Sequence, residues 1–197
     1  MVNLSIILVN YKSLGLIQDC LNSVYANKPC IQFEIIIINN DEKKPENQQS
    51  WQQGPEGAWV DMEYNSGFAR ANNEGIRRAS GEVILLLNPD TIVPEGALDE
   101  SFELLTQSEY VACGVQLLNE DSSPQSSGNY FIKGGLNYLL PLPYACKCIK
   151  WLAAALSLKT PHVAEAVSLV EVDWINGAFL MVKKWAVQKA GLMDEDF

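Results

Sequence analysis

The chain has 197 residues and a formal net charge of −10, because 14 Lys and Arg residues stand against 24 Asp and Glu residues. This balance excludes the broad basic surface that binds a nucleic acid backbone, so we expect no nucleic acid partner. With 48% apolar and 19% charged residues, the composition also excludes a disordered chain and is typical of a globular domain.

Cysteine usage and the absence of a secretion signal favour a cytoplasmic location. The five cysteines are odd in number and lack paired CxxC spacing, so neither a disulfide framework nor a zinc site is predicted. No basic segment followed by an apolar run and a cleavage site precedes the first predicted strand. The longest apolar stretch, residues 139–158, is interrupted by prolines and lysines and is not predicted to span a membrane.

Apolar runs alternate with helical patterns in the first half of the chain, an order typical of parallel strands joined by crossover helices. The predicted fold is therefore α/β, with a mostly parallel central sheet flanked by helices. Residues 167–192 are predicted to form a strand, a turn, a strand and a short helix. The remaining predicted strands comprise residues 4–10, 33–40, 58–65, 82–88 and 110–118, and the predicted helices residues 14–25, 67–81 and 94–106.

We expect one domain over residues 1–197. The stretch 119–161 breaks the alternation, with Ser, Gly and Pro followed by apolar and aromatic residues mixed with lysines. It is predicted to be a variable region, and periodicity leaves open whether it forms an inserted lobe or an amphipathic surface helix.

Three predicted strands end in polar residues that directly follow apolar runs, at Asn10, Asn39 and Asn88. Ligands in open α/β sheets bind outside the carboxyl ends of the strands. The sequence therefore predicts that these three strand ends form one site.

The run "ILLLNPDTIVPEG", residues 84–96, delivers Asp90 at the end of a buried strand. In one interpretation Pro89 fixes the backbone and Asp90 binds Mg²⁺ or Mn²⁺, whose other ligands are water and phosphate oxygens. In the other, residues 88–91 are a turn and helix cap.

The run "NSGFARANNEGI", residues 65–76, places Gly67 at a predicted helix start and Arg70 on its first turn. Backbone amides at a helix start favour phosphate, and the arginine would add a fixed positive charge. A glycine turn with a solvated arginine is the alternative.

The order of these motifs resembles the family-2 glycosyltransferases of the GT-A fold, especially the rhamnosyltransferase-like branch. Four stretches carry the resemblance: "SIILVNYKSLGLIQDCLNSV", "EIIIINND", "NSGFARANNEGIRRASGEVILLLNPDT" and "DWINGAFLMVKKWAVQKAGLMDEDF". They span nearly the whole chain, and residues 119–170 match least. The third is the most specific of the four.

The resemblance implies which residues hold the nucleotide of an activated sugar. Asn39 takes the place of an acidic residue that receives the base, and Asp41, two positions on, is a substitute for it. The other residues that the resemblance assigns to the donor site are Asn10, Tyr11, Asn65, Gly67, Phe68 and Asn73, to which the helix-start argument adds Arg70.

Asn88 and Asp90 correspond to the metal-binding Asp-x-Asp of the family. Because the first position is Asn, only one full negative charge faces the ion. We therefore expect Mg²⁺ or Mn²⁺ to enter largely together with the donor diphosphate.

The last stretch resembles the acceptor side of these enzymes, where Gly177 lies beneath the acceptor sugar. Trp174 would stack on a sugar face and Asp173 would bond to hydroxyls; a core position for Trp174 is equally open. Asp194 and Glu195 match a family acidic pair. The base that deprotonates the acceptor lies further on in the family, so we expect this chain to be C-terminally incomplete.

The resemblance implies inverting transfer of a sugar, with rhamnose as the first guess, to a glycan or lipid-linked acceptor in bacterial surface polysaccharide synthesis. Lysines and aromatic residues between 144 and 159 suggest peripheral membrane contact, or an ordinary solvated helix. One rival is a domain that binds a nucleotide or sugar without transfer. Another is a nucleotidyltransferase, but "VNYKSLGL" lacks its glycine-rich loop.

Overall fold

The computed structural model describes residues 2–43, 57–129, 163, 166 and 168–196. Contacts divide the chain into two compact units, of which the first comprises residues 1–115 and 177–197 and the second residues 116–176. The predicted variable region 119–161 lies outside the described residues from residue 130 onward.

The first unit holds the long strands and the helices. Its elements are β1 (Leu4–Asn10), α1 (Leu14–Ala26), β2 (Phe33–Asn39), β3 (Ala58–Asp61), α2 (Phe68–Arg78), β4 (Val83–Leu87), α3 (Ala97–Gln107) and β5 (Ala112–Cys113). The second unit contributes β6 (Leu117–Leu118), β7 (Pro124–Gln125), β8 (Gly128–Asn129) and β9 (Trp174–Ile175). The chain then returns to the first unit with β10 (Phe179–Lys183) and α4 (Lys184–Ala190).

A six-stranded sheet with the order β3-β2-β1-β4-β10-β5 forms the centre of the first unit. The strands β3, β2, β1 and β4 are parallel, whereas β10 runs antiparallel to both β4 and β5. The predicted α/β fold with a mostly parallel sheet is confirmed. Strands β2 and β3 lie on one side of β1, and β4 lies on the other. The direction in which strands are added to the sheet therefore reverses between β1 and β4.

Branched apolar residues fill both faces of the central strands, since all five residues of β4 are buried. On one face, the core includes Ile7, Ile36, Ile84 and Leu86 together with Ile76 of α2. Gly75 allows α2 to approach β1, because a Cβ at this position would lie only 2.5 Å from Cγ2 of Ile7.

The predicted strand at residues 110–118 is wrong as a single element. Only Ala112 and Cys113 pair with β10, and Leu117 and Leu118 instead pair with β7 in a separate two-stranded sheet of the second unit. The glycine at position 114 lies between the two short strands. The predicted strand at 58–65 also ends early, at Asp61.

Within the second unit, β8 and β9 form another antiparallel pair, with Gly128 opposite Ile175 and Asn129 opposite Trp174. Gly128 has little room for a side chain, because a Cβ there would lie 2.8 Å from the carbonyl oxygen of Trp174. In the described part of the chain, no helix is long and apolar enough to cross a lipid bilayer.

Candidate functional site

A cleft of about 400 Å³ opens where β1 and β4 end, at the point where the strand order reverses. This is the position at which open α/β sheets bind ligands. Its walls come from the chain following β1, the loop before α2 and its first turns, and the turn after β4. Of the residues singled out in the sequence, the lining includes Tyr11, Asn65, Phe68, Asn88, Asp90 and Gly177.

Asn10, the last residue of β1, does not line the cleft and is almost fully buried. Its Oδ1 accepts hydrogen bonds from the backbone amide and the hydroxyl of Ser13, at 3.1 and 3.2 Å. These bonds fix the turn that presents Tyr11, whose side chain is 46% exposed. Lys12 in the same turn has a positive φ of 54° and lies with its Nζ 5.1 Å from the centre of the Tyr11 ring.

Asn39 is completely buried and does not line the cleft. Its Oδ1 accepts a 2.7 Å bond from Nδ2 of Asn10, and its Nδ2 donates to the Asp61 carboxylate at 2.9 Å. Asp41 also lies outside the lining; its backbone amide donates to Oδ1 of Asn39 at 3.4 Å. The structure therefore brings neither of the two predicted base-binding residues to the wall of the cleft.

The neighbouring Asn40 does line the cleft, and sequence reasoning missed it. Its Oδ1 accepts bonds from the amide and hydroxyl of Ser66, at 2.8 and 2.7 Å, and its Nδ2 donates to Oδ1 of Asn65 at 3.0 Å. Asn40 therefore ties the end of β2 to the loop that precedes α2. The doubled asparagine directly after an apolar strand was the available signal.

Gly67 is the N-cap of α2, as the sequence predicted for a helix start, and its φ of 83° favours glycine. Phe68 follows with its ring 51% exposed at the rim, and Asn72 lines the cleft one turn later. Gly177 reaches the same rim from the far end of the sequence, since a Cβ there would lie 3.5 Å from Cζ of Phe68.

Asn73 and Arg70 lie outside the lining and contact the C-terminal segment instead. Asn73 bonds to both backbone groups of Met193 and to Glu195, and Nε of Arg70 lies 3.5 Å from the Glu195 carboxylate. The hydrogen bond from Asn73 is the largest cause and lowers the pKa of Glu195; partial desolvation opposes it, and the charges of Arg77 and Arg70 lower the pKa further, so that the pKa is lowered overall. Asp194 is exposed and accepts a bond from the Asp196 amide.

The turn after β4 presents Asp90 to the cleft. Thr91 closes the turn, because its amide and hydroxyl donate to the carbonyl oxygen of Asn88 at 3.3 and 2.7 Å. Residues 88–91 therefore form a turn, as the alternative interpretation predicted, but the helix-cap part of that interpretation is wrong, because the N-cap of α3 is Gly96. The backbone amide of Asn88 donates to the carbonyl of Ala178, which joins this turn to the start of β10.

Asp90 carries the only charge among the described residues that line the cleft, which include no Lys or Arg. The described residues contain no group of three or more His, Cys, Asp or Glu side chains arranged to hold a metal ion. A single exposed carboxylate beside the amide of Asn88 suits an ion that keeps most of its ligand positions for water and phosphate oxygens. The residues therefore fit Mg²⁺ or Mn²⁺ bound together with a diphosphate, and do not form a closed protein cage.

The two other predicted acceptor residues belong to the second unit. Trp174 is 40% exposed there, so it is not a core side chain, and the backbone amide of Asp173 donates to the carbonyl of Asn129 at 3.0 Å. The thiols of Cys20, Cys30 and Cys113 are free; Cys20 is buried, Cys113 is half-buried and Cys30 is exposed. Cys146, Cys148 and the lysines of the predicted membrane contact lie outside the described residues.

Two curated relatives align with nearly the whole length of this chain. It is 24% identical over 204 residues to the low-salt glycan biosynthesis hexosyltransferase Agl10 of Haloferax volcanii, covering 99% of this chain and 57% of that protein. It is 28% identical over 200 residues to the poly-beta-1,6-N-acetyl-D-glucosamine synthase of Staphylococcus epidermidis, covering 98% of this chain and 42% of the synthase. The chain thus spans about half the length of these relatives.

Solved structures show the same fold. A mannosyltransferase from Pyrobaculum calidifontis, in complex with GDP-Man and Mn²⁺, superposes with a TM-score of 0.59 at 16% identity, covering 98% of this chain and 48% of that chain. Residues 1–349 of S. aureus TarS in complex with UDP superpose with a TM-score of 0.61 at 15% identity, covering 98% and 51%. Residues 5–151 match the family described as glycosyl transferase family 2. The chain belongs to glycosyl transferase family 2.

Proposed function

We propose that this chain binds a nucleoside diphosphate sugar in the cleft between the ends of β1 and β4 and supports transfer of the sugar to an acceptor glycan or lipid-linked saccharide. The proposed setting is surface polysaccharide synthesis at the cytoplasmic face of the membrane. The family, together with relatives named for glycan and poly-N-acetylglucosamine synthesis, supports this class of reaction.

The single observation that carries the proposal is the charge of the cleft. Among the residues that the structure describes, Asp90 is the one charged residue of the lining, and the lining includes no cationic side chain. A diphosphate placed beside Asp90 would meet a like charge, and the described lining offers no cationic side chain to offset it. The cleft therefore suits an anionic donor only in the company of a divalent cation, which Asp90 and Asn88 would hold.

Bound there, such an ion would supply positive charge to the departing diphosphate. The neutral wall of the cleft then orients the rest of the donor. Tyr11 and Phe68 present exposed rings for apolar and stacking contacts, and Asn40, Asn65 and Asn72 present amide groups. These asparagines are held by bonds to one another or to α2, so their positions are set before the ligand arrives.

In the proposed reaction an acceptor hydroxyl attacks the anomeric carbon from the face opposite the diphosphate. The new carbon–oxygen bond forms as the bond to the phosphate oxygen breaks, and the diphosphate leaves with the electron pair. The hydroxyl proton passes to a carboxylate base. Attack from the opposite face inverts the configuration at the anomeric carbon.

The donor sugar is proposed only as a hexose. Rhamnose follows from the branch that the sequence resembles, whereas the neighbours in solved structures hold GDP-Man or UDP-GlcNAc. The nucleotide is therefore tested as UDP, GDP and dTDP, and the sugar as UDP-GlcNAc, GDP-Man and dTDP-rhamnose.

Calorimetric titration of the three nucleoside diphosphates, with and without Mn²⁺, tests the binding step. We expect one of them to bind at least about tenfold more tightly when Mn²⁺ is present, because the ion offsets the repulsion from Asp90. Equal affinity with and without Mn²⁺, or no binding of any nucleotide, would overturn the proposal.

Release of the nucleoside diphosphate from the matching sugar donor tests the transfer step. Metal-dependent binding together with release supports a transferase. Metal-dependent binding without release, in this chain and in a chain extended beyond residue 197, favours the alternative of a domain that binds its ligand without transfer.

A further inference from the structure

Asn73 of α2 holds the segment that follows α4 through three hydrogen bonds. Its Nδ2 donates to the carbonyl of Met193 at 2.9 Å, and its Oδ1 accepts from the Met193 amide at 3.0 Å. The same Nδ2 donates to Oε1 of Glu195 at 2.8 Å. Asn73 is completely buried by these contacts.

Two arginines of the same helix also contact the carboxylate of Glu195. Nη2 of Arg77 lies 3.2 Å from Oε1 of Glu195, and Nε of Arg70 lies 3.5 Å from Oε2. Positions 70, 73 and 77 share one face of a helix, because residues three and four apart are neighbours on its surface. We call Arg70, Asn73, Arg77, Met193 and Glu195 the C-terminal latch.

The adjacent face of α2 belongs to the cleft. Phe68 and Asn72 line it, and Gly75, one turn further along that face, packs on β1. Asn72 and Asn73 are consecutive residues, so one turn of helix connects the wall of the cleft with the latch.

A general base must hold a free lone pair within hydrogen-bond reach of the proton that it removes. Both oxygens of the Glu195 carboxylate already face donors on α2, and Glu195 is not among the residues that line the cleft. Its arrangement suits holding a segment in place and does not suit accepting a proton from a substrate.

We propose that Glu195 is a positioning residue which, through the C-terminal latch, fixes residues 193–195 to the helix that forms the wall of the cleft. This inference rests on the proposed function for its purpose, since it links donor binding in the cleft to residues 193–195. Occupation of the cleft then steadies residues 193–195, although the ligand does not touch them.

Hydrogen–deuterium exchange of a peptide covering residues 192–196 tests the latch without any ligand. Glu195→Ala should raise the exchange rate of this peptide at least about fivefold, because the hydrogen bond from Asn73 and the contacts with both arginines are lost. Glu195→Gln should restore most of the protection, since its amide oxygen still accepts from Asn73. The control Glu74→Gln also removes a carboxylate that pairs with Arg77 and should leave this peptide unchanged.

Unchanged exchange in Glu195→Ala, or equal acceleration in Glu74→Gln, would overturn the latch. The ligand arm adds UDP, GDP or dTDP with Mn²⁺. The link to the cleft is supported if the nucleotide slows exchange of residues 192–196 in the wild type but not in Glu195→Ala, while both proteins bind the nucleotide with equal affinity. Equal protection in both proteins overturns that link.

Steady-state kinetics distinguish a positioning role of Glu195 from a role as the base that accepts the proton. A positioning role predicts that Glu195→Ala lowers kcat without weakening donor binding and that Glu195→Gln recovers most of the loss. A base predicts that both variants lose at least about 100-fold, because neither can accept the proton. Failure of every nucleotide to bind would sink the proposed function alone, since the ligand-free exchange data still decide the latch.

Discussion

The side-chain amide of Asn39 donates a hydrogen bond of 2.9 Å to the carboxylate of Asp61 on the neighbouring strand. The indole of Trp59 donates to the same carboxylate oxygen at 3.0 Å, and Asn10 donates to Asn39 at 2.7 Å. A neutral amide thus stabilises the charge of Asp61 at a position where the family resemblance predicts an acid. An acid at position 39 would place two carboxylates against each other in a buried site.

We expect Asn39→Asp to lower the free energy of unfolding by about 2–4 kcal/mol at neutral pH, because it loses a buried donor and adds a like charge. The repulsion raises the pKa of the introduced acid, so the loss should grow as the pH rises above about 4. Urea unfolding followed by tryptophan fluorescence measures both effects. A loss below about 0.5 kcal/mol would contradict the structural role of Asn39.

The double variant Asn39→Asp with Asp61→Asn serves as the control. It exchanges the acid and the amide, so one carboxylate again faces one donor, and the amide oxygen at position 61 can still accept from Trp59. We expect it to recover at least about half of the lost stability.

Asp90→Asn should remove the effect of Mn²⁺ on nucleotide binding. The wild type is expected to gain at least about tenfold in affinity from the ion, and the variant less than about twofold, because no charged ligand remains. The matched control Glu95→Gln removes an exposed carboxylate from the loop that follows. Calorimetry should show the wild-type gain in the control; the same gain in Asp90→Asn would remove Asp90 from the metal site.

Asn88→Asp should strengthen metal binding in the absence of nucleotide. A second carboxylate would face the ion across the turn, and we expect about a tenfold gain in Mn²⁺ affinity, or roughly 1.4 kcal/mol. Electron paramagnetic resonance of free Mn²⁺ measures this directly. An unchanged affinity would mean that side chains 88 and 90 do not share an ion.

Gly75→Ala should destabilise the protein by about 1–3 kcal/mol, although alanine is the better helix former. The new methyl group would meet the branched side chain of Ile7, 2.5 Å away, in the core between α2 and β1. Gly15→Ala on α1 is the matched control. Its methyl group meets no atom within 4 Å, and we expect a gain of about 0.5–1 kcal/mol. Equal shifts of the two melting temperatures would contradict the close approach.

Glu34 provides a pH-dependent contribution to stability. Burial opposes its charge and raises its pKa, but hydrogen bonds from Ser5, Ser80 and Gly81 outweigh burial, so the pKa is lowered overall. A lowered folded-state pKa adds stability that is fully present above the unfolded value of about 4.3 and is lost as the pH falls through the folded value.

Glu34→Gln should therefore be less stable than the wild type at pH 7, and the two proteins should converge as the pH falls below about 4. Unfolding free energies measured across this range test the sign. Some acid sensitivity should persist in the variant, because the pKa of Glu195 is also lowered, chiefly by its bond from Asn73. A difference that is independent of pH would contradict the role of the Glu34 charge.

Strands β1, β2 and β4 of the central sheet were predictable because they are apolar and buried along most of their length. The residues from Ile35 to Ile38 are all buried, and β4 is buried along its whole length, so an apolar run alone identifies them. The strand predicted at 110–118 failed for a different reason. Strand length depends on the partner, and β10 pairs only with Ala112 and Cys113 there, which nothing in the local sequence reveals.

The sequence predicted which segments line the cleft, but it did not predict every residue whose side chain faces it. Asn72 and Asn73 are neighbours in sequence, and the one that faces the cleft depends on the rotation of α2, which is set by the contact of Gly75 with Ile7. The same holds for Asn39 and Asn40 at the end of β2, of which only Asn40 lines the cleft. Motif position indicates the turn, and packing decides which of the two side chains reaches the ligand.

The antiparallel placement of β10 beside β4 has a consequence for assembly. Gly177 and Ala178 meet the turn at Asn88 only after a long stretch of intervening chain has been brought back to the sheet. Closing so large a loop costs entropy that local contacts do not offset, so this pairing forms slowly. During refolding, recovery of nucleotide affinity should therefore lag behind helix formation. The rate of this recovery measures how fast β10 docks beside β4.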